Sequence, residues 1–196
     1  MDPLKAWANV ASGRGVAVPD VAQSTKYTCG PATLAGVLRY FGKPTPTEGE
    51  LAALLCTTPG EGTTYDRMAE GARAFGLDAE IVEGASVGYL AASLEVGELP
   101  VVPLQAWSES KPPSGGYKGR WDNAHFAIVV AIDDEGILFE DPALEGARAY
   151  LTTPEFESRW HVVRNGKPVE GLVIIMRGDG PGALRSPPLA APKSMP

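Results

Sequence analysis

The chain has 196 residues, a formal net charge of -7 and 44% hydrophobic side chains, too apolar for a disordered tail and long enough to bury one core of its own. Lys and Arg are outnumbered by Asp and Glu and never cluster, so no nucleic-acid surface and no polybasic membrane patch is expected. Residues 1–15 lack the apolar run of a signal peptide, the longest uncharged apolar stretch (123–132) is about half a membrane span, and two cysteines make no disulfide framework, which together predict a cytoplasmic protein without membrane insertion.

Helical signals come first along the chain. Pro31 suits a first helical turn, Leu34, Val37, Leu38 and Phe41 follow at three- and four-residue spacing, and Gly42 supplies the stop. Thr47 and Glu50 form a capping-box pattern ahead of Leu51, Leu54 and Leu55. Thr64 can cap a helix running to Phe75 and stopped by Gly76, and Ser86 opens a shorter one. Strands are expected at 100–107, 124–132, 136–141 and 171–177, segments rich in Val, Ile and Phe and bounded by Gly, Pro or Asp. A short helix over 154–160 sets Phe156 and Trp160 one turn apart, suited to packing on the sheet. Helices first and sheet second is an α+β pattern: N-terminal helices packed on a C-terminal antiparallel sheet. Residues 1–177 read as a single domain. Residues 178–196, with five prolines and three glycines and no apolar period, read as a flexible tail.

The densest chemistry lies in Gln23-Ser24-Thr25-Lys26-Tyr27-Thr28-Cys29-Gly30-Pro31-Ala32. Cys29 falls just ahead of the helix begun by Pro31, where unpaired N–H groups and the positive dipole end favour a thiolate. A thiolate attacks a carbonyl carbon, and the Cys29 N–H would point at the resulting oxyanion, with the Gln23 amide as a second donor. The blander alternative is that Cys29 is a small buried apolar residue and Gln23 a loop polar group. Of the two histidines, His125 opens an apolar strand and is the better candidate base, whereas His161 follows Trp160 at a helix end. A histidine satisfied by backbone at a strand end is the competing account of His125. Asp141, 16 residues on, can orient the imidazole. A three-residue loop of Asp133, Asp134 and Glu135 sets Asp141 across from Ala127 and diagonal to His125, an even loop would send the two to opposite faces, and a bulge could change the count.

Gln, five residues, Cys-Gly-Pro-Ala, a helix ending Tyr-Phe-Gly, then far downstream Asn-Ala-His-Phe-Ala-Ile-Val-Val and Asp-Pro, resembles the bacteriocin-processing, double-glycine-leader cysteine peptidases. The resemblance runs from about residue 18 to 160 and implies a papain-like fold. It implies Cys29 as nucleophile, His125 as general base, Asp141 as orienting acid and Gln23 as oxyanion donor, with a peptide substrate and no cofactor. Members often stand at the front of a membrane transporter, and this chain carries no transporter segment. The implied chemistry is amide cleavage through a Cys29 thioester, which an amine in place of water would turn into acyl transfer or ligation. The loop over 108–122, long and glycine-rich, is a candidate lid, with Trp107, Tyr117 or Trp121 lining a substrate groove, or else a disordered surface loop.

Two other classes compete. A catalytically inactive papain-like module would keep the shape to hold a peptide. A metal site from Cys29, Cys56, His125 and His161 lacks the short-spaced ligand pairs that structural zinc favours, so no metal is expected. Cys56, after an apolar helix, reads as buried filler.

Overall fold

The computed structural model describes residues 15–106, 116–121, 123–179 and 190–194. In chain order the elements are α1 (Cys29–Tyr40), α2 (Glu48–Leu54), α3 (Tyr65–Ala74), β1 (Asp78–Val82), α4 (Val87–Glu95), β2 (Leu99–Gln105), β3 (Ala124–Ile132), β4 (Gly136–Glu140), β5 (Ala147–Thr152), α5 (Thr153–Arg159), β6 (His161–Arg164), β7 (Lys167–Glu170), β8 (Val173–Arg177) and β9 (Ala190–Ser194). The caps act as their residue types dictate. Thr47 and Glu50 close a reciprocal capping box on α2, and the hydroxyls of Thr64, Ser86 and Thr152 accept N–H bonds at the starts of α3, α4 and α5.

Seven strands form one sheet in the order β1-β8-β2-β3-β4-β5-β9, antiparallel throughout except for the β5–β9 pair. Its central strands are buried on both faces, which is why β2, β3 and β8 read as continuous apolar runs. One face carries Ile128, Val130 and Met176 against Leu34, Leu38 and Met68 of α1 and α3. The other carries Val129, Phe139 and Ile175 against Leu90 of α4 and Phe156 of α5. The helices therefore sandwich the sheet. Among the described residues no helix is long and apolar enough to cross a membrane.

The structure departs from the sequence expectations in several places. β1 and β5 enlarge the sheet at both sides, and β6 and β7 form a separate hairpin turned by Asn165 and Gly166, both left-handed at φ 53° and 73°. Ala190–Ser194, expected in a tail outside the fold, runs as edge strand β9 beside β5. An edge offers backbone hydrogen bonds to any extended segment, so apolar periodicity does not mark such a strand. The β3–β4 turn spans four residues, because Ile132 pairs with Ile137, and a bulge between Val129 and Ala131 then shifts the register by one. Ile128 ends opposite Glu140, so Asp141 follows on the line that leads to Ala127.

Candidate active site

The ladder between β3 and β4 stops at Ile128 and Glu140, and the first turns of α1 meet β3 at Phe126. Thr33 Oγ1 donates to the Phe126 carbonyl at 3.4 Å, and the Phe126 and Gly30 backbone N–H groups act on the Cys29 thiol by lowering its pKa. Cys29 is the first residue of α1, and Thr28 at the cap leaves the helix end without a side-chain cap. The N-terminal N–H groups are therefore available to negative charge at or near the sulfur.

His125 bonds to the Cys29 side chain on one side, and its Nε2 lies 2.6 Å from Asp141 Oδ1 on the other. The ring nitrogen left for the sulfur is Nδ1. Both partners of the His125–Asp141 pair are at most 1% exposed. Asp141 Oδ1 also accepts the Ala143 N–H at 2.9 Å, an Asx-type turn that fixes the carboxylate at the Asp-Pro corner. Burial pushes the Cys29 thiol up, but the His125 hydrogen bond and charge, followed by the Phe126 and Gly30 N–H groups, bring it below its ordinary 9.0. Burial likewise opposes charge on His125, and Asp141 first, then Cys29, override it and raise the imidazole to about 10. The two shifts run in the directions that favour thiolate and imidazolium over thiol and imidazole, and the pair titrates as a unit.

Gln23 enters from the extended segment ahead of α1, with its N–H on the Pro142 carbonyl at 2.8 Å. Its Nε2 gives one hydrogen to the Thr25 carbonyl at 2.7 Å and retains a second; its Oε1 is buried without a hydrogen-bond partner among the described residues. Gln23, Ser24, Lys26, Asn123, Pro142 and Glu145 line a cleft of about 750 Å³ along the His125 and Asp141 side. A second cleft of about 440 Å³ shares Ser24 and Thr25 and runs past Tyr27, Thr28, Ala53 and Cys56.

Of the proposed groove aromatics, Tyr117 does not serve. Its ring is 5% exposed and lies under the Arg159 guanidinium, 3.6 Å from the centroid, because a cation stacked on it holds it in the core. Trp107 and most of 108–122 lie outside the described residues. Trp121, 37% exposed, stacks on His161 with centroids 4.5 Å apart, two residues from Asn123 in the cleft. His161 Nε2 turns to the Arg120 carbonyl at 2.6 Å, away from the thiol. Cys56 is exposed rather than buried, at φ 52° after α2, because the chain turns outward there.

Tyr65 was not legible as a site residue. It is the first residue of α3, packs edge-on to Phe126 at 5.8 Å, and its phenol is pushed up to about 12 by burial and then by the Cys29 charge. It thus stays neutral beside the thiolate. The Thr64 cap marks where Tyr65 starts a helix, but no local signal ties that helix to Cys29.

A model described as the peptidase C39 family matches residues 17–164. An uncharacterised protein of Methanothermobacter marburgensis is 32% identical over 124 residues, 63% of this chain and 71% of its own length. A solved C39-like peptidase from Bacillus anthracis is similar at TM-score 0.61 and 18% identity, over 85% of this chain and 99% of that one. A double glycine motif protease from an AMS/PCAT transporter, solved in complex with the leader peptide, gives 0.58 and 19%, over 84% and 94%. The fold shared with these domains is papain-like.

Proposed function

The chain belongs to the peptidase C39 family, and on that premise we propose that it is a cysteine peptidase that cleaves a peptide amide bond through a Cys29 thioester. The observation that carries the reading is the buried relay from Cys29 through His125 to Asp141, in which His125 favours the thiolate and Asp141 favours the imidazolium.

The Cys29 thiolate adds to the scissile carbonyl carbon, and the electron pair of the C=O bond moves to oxygen. The Cys29 N–H and the second hydrogen of Gln23 Nε2 hold that oxyanion. Nδ1 of the His125 imidazolium gives its proton to the leaving nitrogen as the C–N bond breaks, which leaves an acyl thioester and neutral imidazole. Water then adds to the thioester and yields its proton to His125, and the C–S bond breaks to restore thiolate and imidazolium. Asp141 keeps Nε2–H as donor and Nδ1 toward sulfur throughout. The leaving amine departs on the His125 side, where the larger cleft receives the peptide beyond the cut, and the smaller cleft beside Thr28 receives the acyl side. The double glycine motif of the transporter protease makes a Gly-Gly acyl end the first substrate to try.

The reading is tested by alkylating Cys29 and Cys56 with iodoacetamide across pH, resolved by peptide mass spectrometry, in wild type and in His125→Ala. Cys29 is expected to react well below the pH at which Cys56 does, and to lose that advantage in the variant. Equal, slow reaction of both thiols would sink the activated-thiol assignment and leave a peptide-binding module. Incubation of Gly-Gly-containing peptides with and without an added amine, read by product mass, separates hydrolysis from acyl transfer.

A further inference from the structure

Residues 16–23 belong to no helix or strand, yet they carry Gln23 to the site, so their backbone groups need partners from elsewhere. They find them along β3, β4 and β5. Val16 N–H donates to the carbonyl of the bulged residue Val130 at 2.8 Å, and Gln23 N–H to the Pro142 carbonyl. Between these two anchors the bonds come from a buried ion pair. Glu140 and Arg148 face each other across the β4–β5 ladder, 0% and 2% exposed. Glu140 Oε1 accepts the Val21 N–H at 2.9 Å, and the Arg148 guanidinium donates to the Val18 carbonyl. The Asp20 carboxylate adds a third tie by accepting the Gly146 N–H at 3.2 Å. Glu140 directly precedes Asp141, so the strand end that orients His125 also holds the segment that ends in Gln23.

Stability alone does not account for this pair. Two buried charges cost heavily to desolvate, and well-packed apolar residues of similar volume often serve a core as well or better. What an apolar pair cannot supply is direction: one specified N–H and one specified C=O of an otherwise irregular segment.

We propose that the Glu140–Arg148 pair is a positioning device of the active site, which fixes the register of residues 18–23 against Asp141 and Pro142 and so sets where Gln23 presents its amide. The inference rests on the reading of Gln23 as oxyanion donor. A misplacement of about 1 Å at such a donor can cost about 100-fold, whereas the thiolate and imidazolium pair does not need Gln23.

The test uses the Glu140→Leu/Arg148→Met double variant, which exchanges the ion pair for apolar volume and is expected to fold, beside Gln23→Ala and the triple variant. Two probes divide the site. Iodoacetamide reports the Cys29 thiolate alone, and a Gly-Gly peptide aldehyde forms a thiohemiacetal whose oxygen lies where the oxyanion would. The pair variant is expected to melt at a lower temperature, because the buried Val21 N–H loses its partner, yet to keep the pH profile of Cys29 alkylation and to bind the aldehyde about 10- to 100-fold more weakly. Gln23→Ala is expected to show a similar loss, and the triple variant no further one. Unchanged aldehyde binding in the pair variant with Gln23→Ala impaired, or losses that multiply, would overturn the positioning role alone. A shifted alkylation profile in the pair variant would likewise overturn it in favour of general support of the fold. Unchanged binding in Gln23→Ala would remove the oxyanion role from Gln23 and the inference with it.

Discussion

His125 receives its charge from Asp141 more than from any other side chain, across 2.6 Å and out of contact with water. Asp141→Asn retains an oxygen for Nε2–H and removes the charge. The imidazole then becomes less basic, less of Cys29 is ionised at neutral pH, and the midpoint of its alkylation profile is expected to move upward by a pH unit or more, toward that of a free thiol. An unmoved midpoint would mean that the α1 terminus and its N–H groups hold the thiolate without the relay. Cys29, His125 and Asp141, which the structure brings together, each sit at a marked place in the sequence: Cys29 before Pro31, His125 at the head of an apolar strand and Asp141 before a proline; Gln23 is proposed beside them from its distance along the chain to the thiol. Tyr65 and the Glu140–Arg148 pair carry no such mark. Their roles arise from contacts across 36 residues or more, and a buried Glu or Arg has the same letter as a solvated one.

At the scale of elements, α1 packs tightly on the turn ahead of α3. A Cβ on Gly30 would overlap the Thr63 side chain, while Thr63 Oγ1 is itself bonded to Thr57 Oγ1 at 2.6 Å. Gly30→Ala must push Thr63 or the first turn of α1 outward. The expected cost is about 1–3 kcal/mol in urea unfolding, together with slower alkylation of Cys29 because the sulfur moves with the turn. Lost stability with unaltered alkylation would show that Thr63 yields instead. Helix starts were readable from Thr47, Thr64 and Ser86 because a cap is a local event. Strand register was not. A four-residue turn alone sends His125 and Asp141 to opposite faces, and the extra residue Val130 reverses that count. The three-residue loop expected from the sequence reaches the same Asp141 position by a different path, since a bulge in an all-apolar run leaves no mark of its own. The carbonyl of Val130 takes up the Val16 N–H, so the bulge also secures the segment that leads to Gln23.

For the whole molecule the two shifted groups leave a signature in stability against pH. His125 is raised from 6.5 to about 10, so taken alone its contribution is fully present below pH 6.5 and is lost as pH rises through about 10. Cys29 is lowered from 9.0, so its contribution is present above pH 9 and is lost as pH falls through its depressed folded value. Above both pH 6.5 and the depressed Cys29 value, and below pH 9, the folded pair holds one proton, on the imidazole, and the unfolded chain also holds one, on the thiol. No proton is exchanged on folding there, and the pair makes no slope. Above pH 9 the unfolded chain binds fewer protons than the folded one and stability declines. The pair therefore contributes a flat stretch that ends in a falling alkaline limb. Cys29→Ser removes the titrating thiol while Asp141 still favours the imidazolium, and the alkaline decline is then expected to begin near pH 6.5 instead of 9. Urea unfolding of both proteins from pH 5 to 10.5 measures this. Declines that both begin near pH 6.5 would show that Cys29 keeps its proton in the folded chain, and the thiol would then need that proton removed during attack rather than before it.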